Sequence, residues 1–305
     1  AKPNLEFQRA TSETSIFRAH VDRCPQGTVP IRRTRKEDLI RAKYLPLPTE
    51  PISNGEHAHE YFTGIVHQHH GETFHGAIAN ISIWKPRTNA KQYSLAEICL
   101  RSGQRSYTRI HVGWMVNPIL YDSFAPVRNF IYWTADNGKT TGCWNTLCPG
   151  FVQVDAHVTP DQPFTVTSTF EGAVVEMQYH VYLSKKKWWY VVQGVTIGYW
   201  PAELFPLFGD IGVERIYYGG HSKDDGEGHP PPMGSGYFPN EKYNHAAYFT
   251  QMQYKNKFGA LLDLNSKWTT DVIGCQKNYD MDYYGFIKEG GRRHTLQYGG
   301  PGGSC

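Results

Sequence analysis

No stretch of this 305-residue chain approaches the ~20 consecutive apolar residues of a membrane span, so no membrane partner is expected. Charged residues make up only 19%, and the formal net charge of +3 is too weak to argue for nucleic acid. There is no CxxC pair and no metal-type Cys/His spacing. GxSxG, a Walker loop and HExxH are absent too, so serine, nucleotide and common zinc-protease chemistries have no support. Internal repeats are lacking. Helix signals are scarce, the clearest being "PAELFPLF" at 201–208, opened by Pro201. No secretory leader is visible, and the chain reads as processed.

Aromatic residues, by contrast, reach 14%, which marks a globular chain. Histidine is abundant. Adding fourteen imidazolium charges to the formal +3 gives roughly +17, so the protein should be strongly cationic in acid. The run Lys185-Lys186-Lys187 sits between two strand-like segments and reads as a solvated hairpin turn.

Six cysteines suit an oxidising compartment. Cys143 and Cys148 flank a loop, Cys275 and Cys305 bracket the last segment, and Cys24 and Cys99 remain. We expect disulfides in those three pairs, although six cysteines allow fifteen connectivities. The sequon Asn80-Ile81-Ser82 suits a secreted glycoprotein.

Residues 1–50 are polar, and the Pro-rich linker "LPLPTEPISNG" spans 45–55. From about residue 60 the texture is period-2 alternation. "FHGAIANISIW", "RIHVGWMV", "NFIYWTAD", "GFVQVDAHV", "FTVTSTF", "AVVEMQYHVYL", "WWYVVQGVTIGYW", "RIYYGG", "AAYFTQMQY" and "HTLQYGG" read as strands. Ten or so strands without intervening helices predict an all-β fold: an antiparallel double-sheet β-sandwich with few short helices.

Two of these strands carry a histidine opposite an apolar face. In "TRIHVGWMV", Ile110, Val112 and Trp114 point one way, and Arg109, His111 and Gly113 the other. In "ERIYYGGH", Arg215, Tyr217, Gly219 and His221 share one face. Two such faces side by side would make a groove floored by His111 and His221, and the glycines would let a substrate backbone approach. Tyr107, Arg109, Arg215 and Tyr217 are candidates for reading an anionic or sugar-like ligand, with ordinary exposed strand positions about as well supported.

At this point the chain resembles the neprosins, plant secreted glutamic endopeptidases. The resemblance runs through "CPQGTVPIRR", "IANISIWKP", "IHVGWMVNP", "FIYWTADNGKTTGCWNTLCPGFVQ", "WWYVVQGVTIGYWPAELF", "YYGGH", "MGSGYFP" and "QYGGPGGSC". It implies a sandwich with a groove on one sheet, cleavage of proline-containing peptides in acid, no required cofactor, and secretion into the plant apoplast or a secretory fluid. It also implies that residues 1–50 correspond to a propeptide-like segment and linker, and 51–305 to the sandwich. The "CPQGTVPIRR" segment should then pack along the sandwich.

The family's catalytic glutamates stand in I-E-A-G-W and W-G-G-E. Here those positions are His111 and His221. Two carboxyls can share one proton in acid, where two imidazoles would both be protonated and neither could act as base. This argues against acid proteolysis by the family mechanism. The leading expectation is a non-catalytic groove that binds an extended peptide or glycan. One alternative is a repurposed enzyme using His111 and His221 as an acid/base pair, or as ligands of a divalent metal. Residual peptidase activity is the other.

The histidine-rich stretch 57–75 offers His67 and His69 as a chelating pair, with a solvated edge and hairpin turn as the favoured reading. Glu214 and Glu227 flank the second histidine strand, but Glu214 has core-face parity and Glu227 lies in a loop. Trp114 reads as core and Trp133 as groove wall. Non-reduced mass spectrometry of a digest should recover a Cys24–Cys99 cross-linked peptide; free thiols at both positions would exclude that bond.

Overall fold

The computed structural model describes residues 25, 27–44, 56–57, 59–103, 107–121 and 126–305. In chain order the elements are α1 (Lys36–Tyr44), β1 (Glu56–His57), β2 (Glu60–Gln68), β3 (Gly76–Ser82), β4 (Tyr93–Ser102), β5 (Thr108–Val116), β6 (Arg128–Thr134), β7 (Cys143–Trp144), β8 (Val152–Gln153), β9 (Glu176–Ser184), β10 (Lys187–Val192), β11 (Val195–Pro201), β12 (Arg215–Lys223), β13 (Ala247–Lys255), β14 (Leu261–Asp263), β15 (Thr269–Ile273), β16 (Asp280–Ile287) and β17 (Arg293–Gly299). The first sheet runs β1-β2-β12-β4-β5-β6-β7, with β15 beside β2. The second runs β16-β17-β13-β3-β9-β10-β11-β8, with β14 beside β13. Neighbouring strands pair antiparallel.

The sheets enclose one apolar core. Ile98, Val112, Trp114 and Ile131 from the first sheet meet Tyr179, Trp188, Tyr190 and Trp200 from the second. Each large side chain withdrawn from water contributes about 1.5–3 kcal/mol, so alternation alone strongly fixes which face turns inward. Strand β9 shows the half-buried texture this predicts, with alternate residues buried. Strands β4 and β5 do not, because they are buried on both faces.

Several sequence expectations change here. "GFVQVDAHV" contributes only the two residues of β8, and "FTVTSTF" forms no strand. The segment 201–208 holds a single 3-10 turn, Ala202–Leu204. Trp133 faces the core, opposite Ile110 and against Phe205, and so is no groove wall. The lysine run does make the β9–β10 turn, with Lys185 and Lys186 at φ 51° and 59°. Asn80 lies mid-strand in β3, 6% exposed. Its amide nitrogen donates to Glu176 and its oxygen accepts from Gln178, which leaves the folded chain no place for a glycan there.

Strand β2 is not a solvated edge, since it is flanked by β12 on one side and by β1 and β15 on the other. His67 points into the sandwich, fully buried, with its ring near Phe74 (5.2 Å), Tyr254 (5.3 Å) and Trp268 (5.9 Å). Neither ring nitrogen has a partner among the described residues. His69 lies past the strand end, 3.9 Å from the same Trp268 ring.

Residues ahead of the sandwich lie against it. Gln153 Nε2 donates to Pro30 O (2.9 Å), Arg41 Nη1 donates to Tyr121 O (2.5 Å), and Arg32 approaches Asp161 (3.7 Å). Cys143–Cys148 and Cys275–Cys305 are bonded. Cys24 lies outside the described residues.

Burial holds the His67 ring neutral, lowering its pKa to about 4. A lowered folded-state pKa means the unfolded chain binds the proton first. This contribution is therefore complete above 6.5 and is lost as pH falls through 4, on the order of 3 kcal/mol. Urea unfolding should show a midpoint that drops from pH 7 to pH 4, and His67→Phe should flatten that drop. An unchanged pH profile in the variant would refute the assignment.

Candidate active site

The outer face of the first sheet carries the histidines. Strand β4 lies between β12 and β5, so registered rows run across all three. One row is Tyr217–Cys99–His111–Tyr132, the next Gly219–Glu97–Gly113–Phe130, and the next His221–Leu95–Met115. The parity read from sequence therefore holds for Arg109, His111, Gly113, Arg215, Tyr217, Gly219 and His221. Tyr107 lies just before β5, with the Arg101 guanidinium 5.3 Å from its ring centre.

The two imidazoles are joined through a residue that sequence reasoning passed over. Glu97 sits between Gly113 and Gly219, neither of which has a side chain to crowd it. A Cβ on Gly113 would strike Ala96 O, and one on Gly219 would strike the Tyr217 hydroxyl and Thr63 O. These glycines serve close strand approach, a different role from admitting a substrate backbone. His111 Nδ1 lies 2.8 Å from Glu97 Oε2, and its Nε2 is 3.6 Å from Cys99 Sγ. His221 Nδ1 lies 3.7 Å from Glu97 Oε1, beyond hydrogen-bond reach.

On the other side of His221, Nε2 is 3.1 Å from the Tyr93 hydroxyl and 3.6 Å from Glu60 Oε1. The Tyr93 hydroxyl itself donates to Glu60. Phe62 stacks on the His221 ring at 4.1 Å. The order is therefore Glu60, Tyr93, His221, Glu97, His111, and every member is buried, so the two histidines do not floor an open groove as the sequence suggested.

Electrostatics separates the two rings. Burial disfavours charge on His221, but Glu60 and Glu97 on either side overcome it and raise its pKa to about 9. His111 is also desolvated and has only Glu97 to offset this, with Arg109 nearby, so its pKa is lowered. Burial opposes ionisation of Glu97 as well, but the two imidazoles hold its pKa near 2. At neutral pH the unit is an imidazolium, a carboxylate and a neutral imidazole.

A further cluster, Asp225, Glu227 and His229, brings three ligand atoms within 4.8 Å of one another in the loop after β12. Glu227 thus belongs to a surface group, and Glu214 accepts from Gly103 N at 3.2 Å; neither is among the groups that contact the two histidines.

The Neprosin family model matches residues 90–301, more than half of the chain. The chain belongs to the neprosin family. Membership makes it peptidase-related, and the family is secreted, with which the two disulfides are compatible. The match includes Tyr93, Glu97, His111 and His221, and it leaves Glu60 outside. Similar solved structures include scytalido-glutamic peptidase with a transition-state analog inhibitor, at 9% identity, 78% of this chain, 96% of that chain and TM-score 0.43. The same peptidase with a peptide-based analog matches at 9%, 78%, 97% and 0.40. CG-16, a homodimeric agglutinin from chicken liver, matches at 10%, 52%, 91% and 0.27. These distant likenesses carry no residue roles to this neprosin-family chain.

Removing one partner of a buried ion pair strands the other. Glu97→Gln should therefore cost about 3–5 kcal/mol of unfolding free energy at pH 6. A loss below about 1 kcal/mol would show that Glu97 does not hold the rings. The raised His221 pKa gives stability that is full below 6.5 and lost as pH rises through about 9, and the Glu97 share is lost as pH falls from 4.5 through about 2. Imidazole NMR should show one ring titrating near 9, and that titration should disappear in His221→Gln.

Proposed function

We propose that this chain binds an extended peptide at the outer face of the first sheet and does not cleave it by sharing a proton between two acids. The carrying observation is that the imidazoles at the family's acid positions are tied to carboxylates of their own. One Glu97 oxygen takes His111 Nδ1, and the Tyr93–Glu60 pair takes His221 Nε2. A ring nitrogen committed to a buried partner cannot also deliver a proton to a scissile bond. Support for a peptide ligand comes from the chain itself: Ala42 of its own α1 packs on the cluster of Tyr93, Leu95, Met115 and Phe130 beside the histidines.

A second reading rests on the opposed pKa directions. A neutral His111 and a protonated His221 on one face are the protonation states of a general base and a general acid near pH 7. In this reading His111 Nε2, its nitrogen not taken by Glu97, would be the basic atom, and catalysis would vanish in acid.

Digestion of a proline-containing peptide library from pH 3 to 8 separates these readings. The native chain should bind fluorescent library peptides and cleave none at pH 3. Cleavage after proline at pH 3 would overturn the proposal, whereas cleavage confined to near-neutral pH and abolished by His111→Gln would establish the second reading. Restoring the family's acids by His111→Glu with His221→Glu should not restore activity, because it gathers four buried carboxyls where Glu60 and Glu97 already stand. The soluble yield of that variant should recover when Glu97→Gln is added.

A further inference from the structure

One row beyond His111 on the same face, Arg215, Arg101 and Arg109 lie directly opposite one another on β12, β4 and β5. Like charges at facing positions of adjacent strands repel. Arg109 is 1% exposed, and only Nη2 is engaged, donating to Asn137 Oδ1 at 2.7 Å. Its Nε and Nη1 have no partner among the described residues, nor has Nε of Arg215. The nearest acid on the covering turn, Asp136, is already committed. Its two oxygens accept from Thr134, Thr140 and Thr141.

A buried guanidinium with two unpartnered nitrogens is costly unless an anion takes their N–H groups, and its planar fork matches a carboxylate. We infer that the arginine row is a carboxylate-binding subsite, which fixes an acidic group of the peptide next to His111. The inference rests on the peptide-binding reading for its ligand, but the carboxylate chemistry stands on Arg109 alone. At its Arg215 end the row is less enclosed, since that side chain is half-buried and the facing Gln68 is exposed, and a ligand would have to enter there, past Arg101.

Two measurements on the full chain test it. In thermal unfolding at constant ionic strength, acetate should raise the Tm of the native protein above its value in chloride, and Arg109→Met should remove the difference. Three labelled proline-containing pentapeptides then separate the sources: one ending in aspartate amide, its asparagine twin, and the asparagine peptide with a free C-terminal carboxylate. At least one carboxylate peptide should bind about tenfold tighter than the neutral twin, the effect of one charge-assisted pair, and Arg109→Met should abolish that preference. The tighter of the two names the source. Arg215→Met, at the less enclosed end, should weaken the preference and covers the case in which the Arg109 variant fails to fold. Equal binding of all three peptides, or an acetate effect that survives Arg109→Met, overturns the subsite and leaves peptide binding intact. An Arg109-dependent acetate effect with no peptide bound overturns peptide binding and leaves the subsite.

Discussion

One carboxylate organises the candidate site. Glu97 reaches the outer face from the middle of β4, between two glycines, and the imidazoles of two neighbouring strands converge on it. Removing a carboxylate from water is expensive, and only paired charge or hydrogen bonds offset the cost. The two histidines supply that compensation and acquire opposite protonation preferences in return. Burial pulls both toward neutrality, and a second acid, Glu60 working with Tyr93, reverses the outcome for His221 alone. The difference between the rings lies in the number of acids each one meets.

A site of this kind differs physically from a pair of carboxyls dividing a proton. An acid dyad is poised because neither member can ionise freely beside the other. Here opposite charges sit together, so the resting arrangement is electrostatically satisfied. Satisfaction favours rigidity and binding more than turnover. The neighbouring arginine row is the contrasting case, with like charges abreast and open donors, and it is where a ligand has most to contribute.

The sandwich was legible because alternating Val, Ile and aromatic residues make one face of each strand apolar, and β5, β9 and β12 read correctly for that reason. The faces of Arg109, His111, Arg215 and His221 followed from the same parity. What parity could not show was that the middle of the face opposite the core, along β4 and β5, is buried as well. In "YSLAEICLRS" both faces are largely apolar, so β4 lost its period and was passed over, and Glu97 with it. A single acid inside an apolar run was the available signal, since such a group must find a partner. Glu60 gave the same signal in "HEYFTGIV", where surrounding histidines suggested a solvated edge. Trp133 was misplaced because a tryptophan near a groove motif was weighed above its own parity with Ile131.

The crossing from β7 to β8 has its own consequence. Each of these sheet margins is only two residues long, and a six-residue loop closed by Cys143 and Cys148 sits at the crossover, with Gly150 tucked against the Trp133 ring. A margin so short offers few open amides and carbonyls to a foreign strand. On that side the sandwich therefore presents little template for continuation into another molecule.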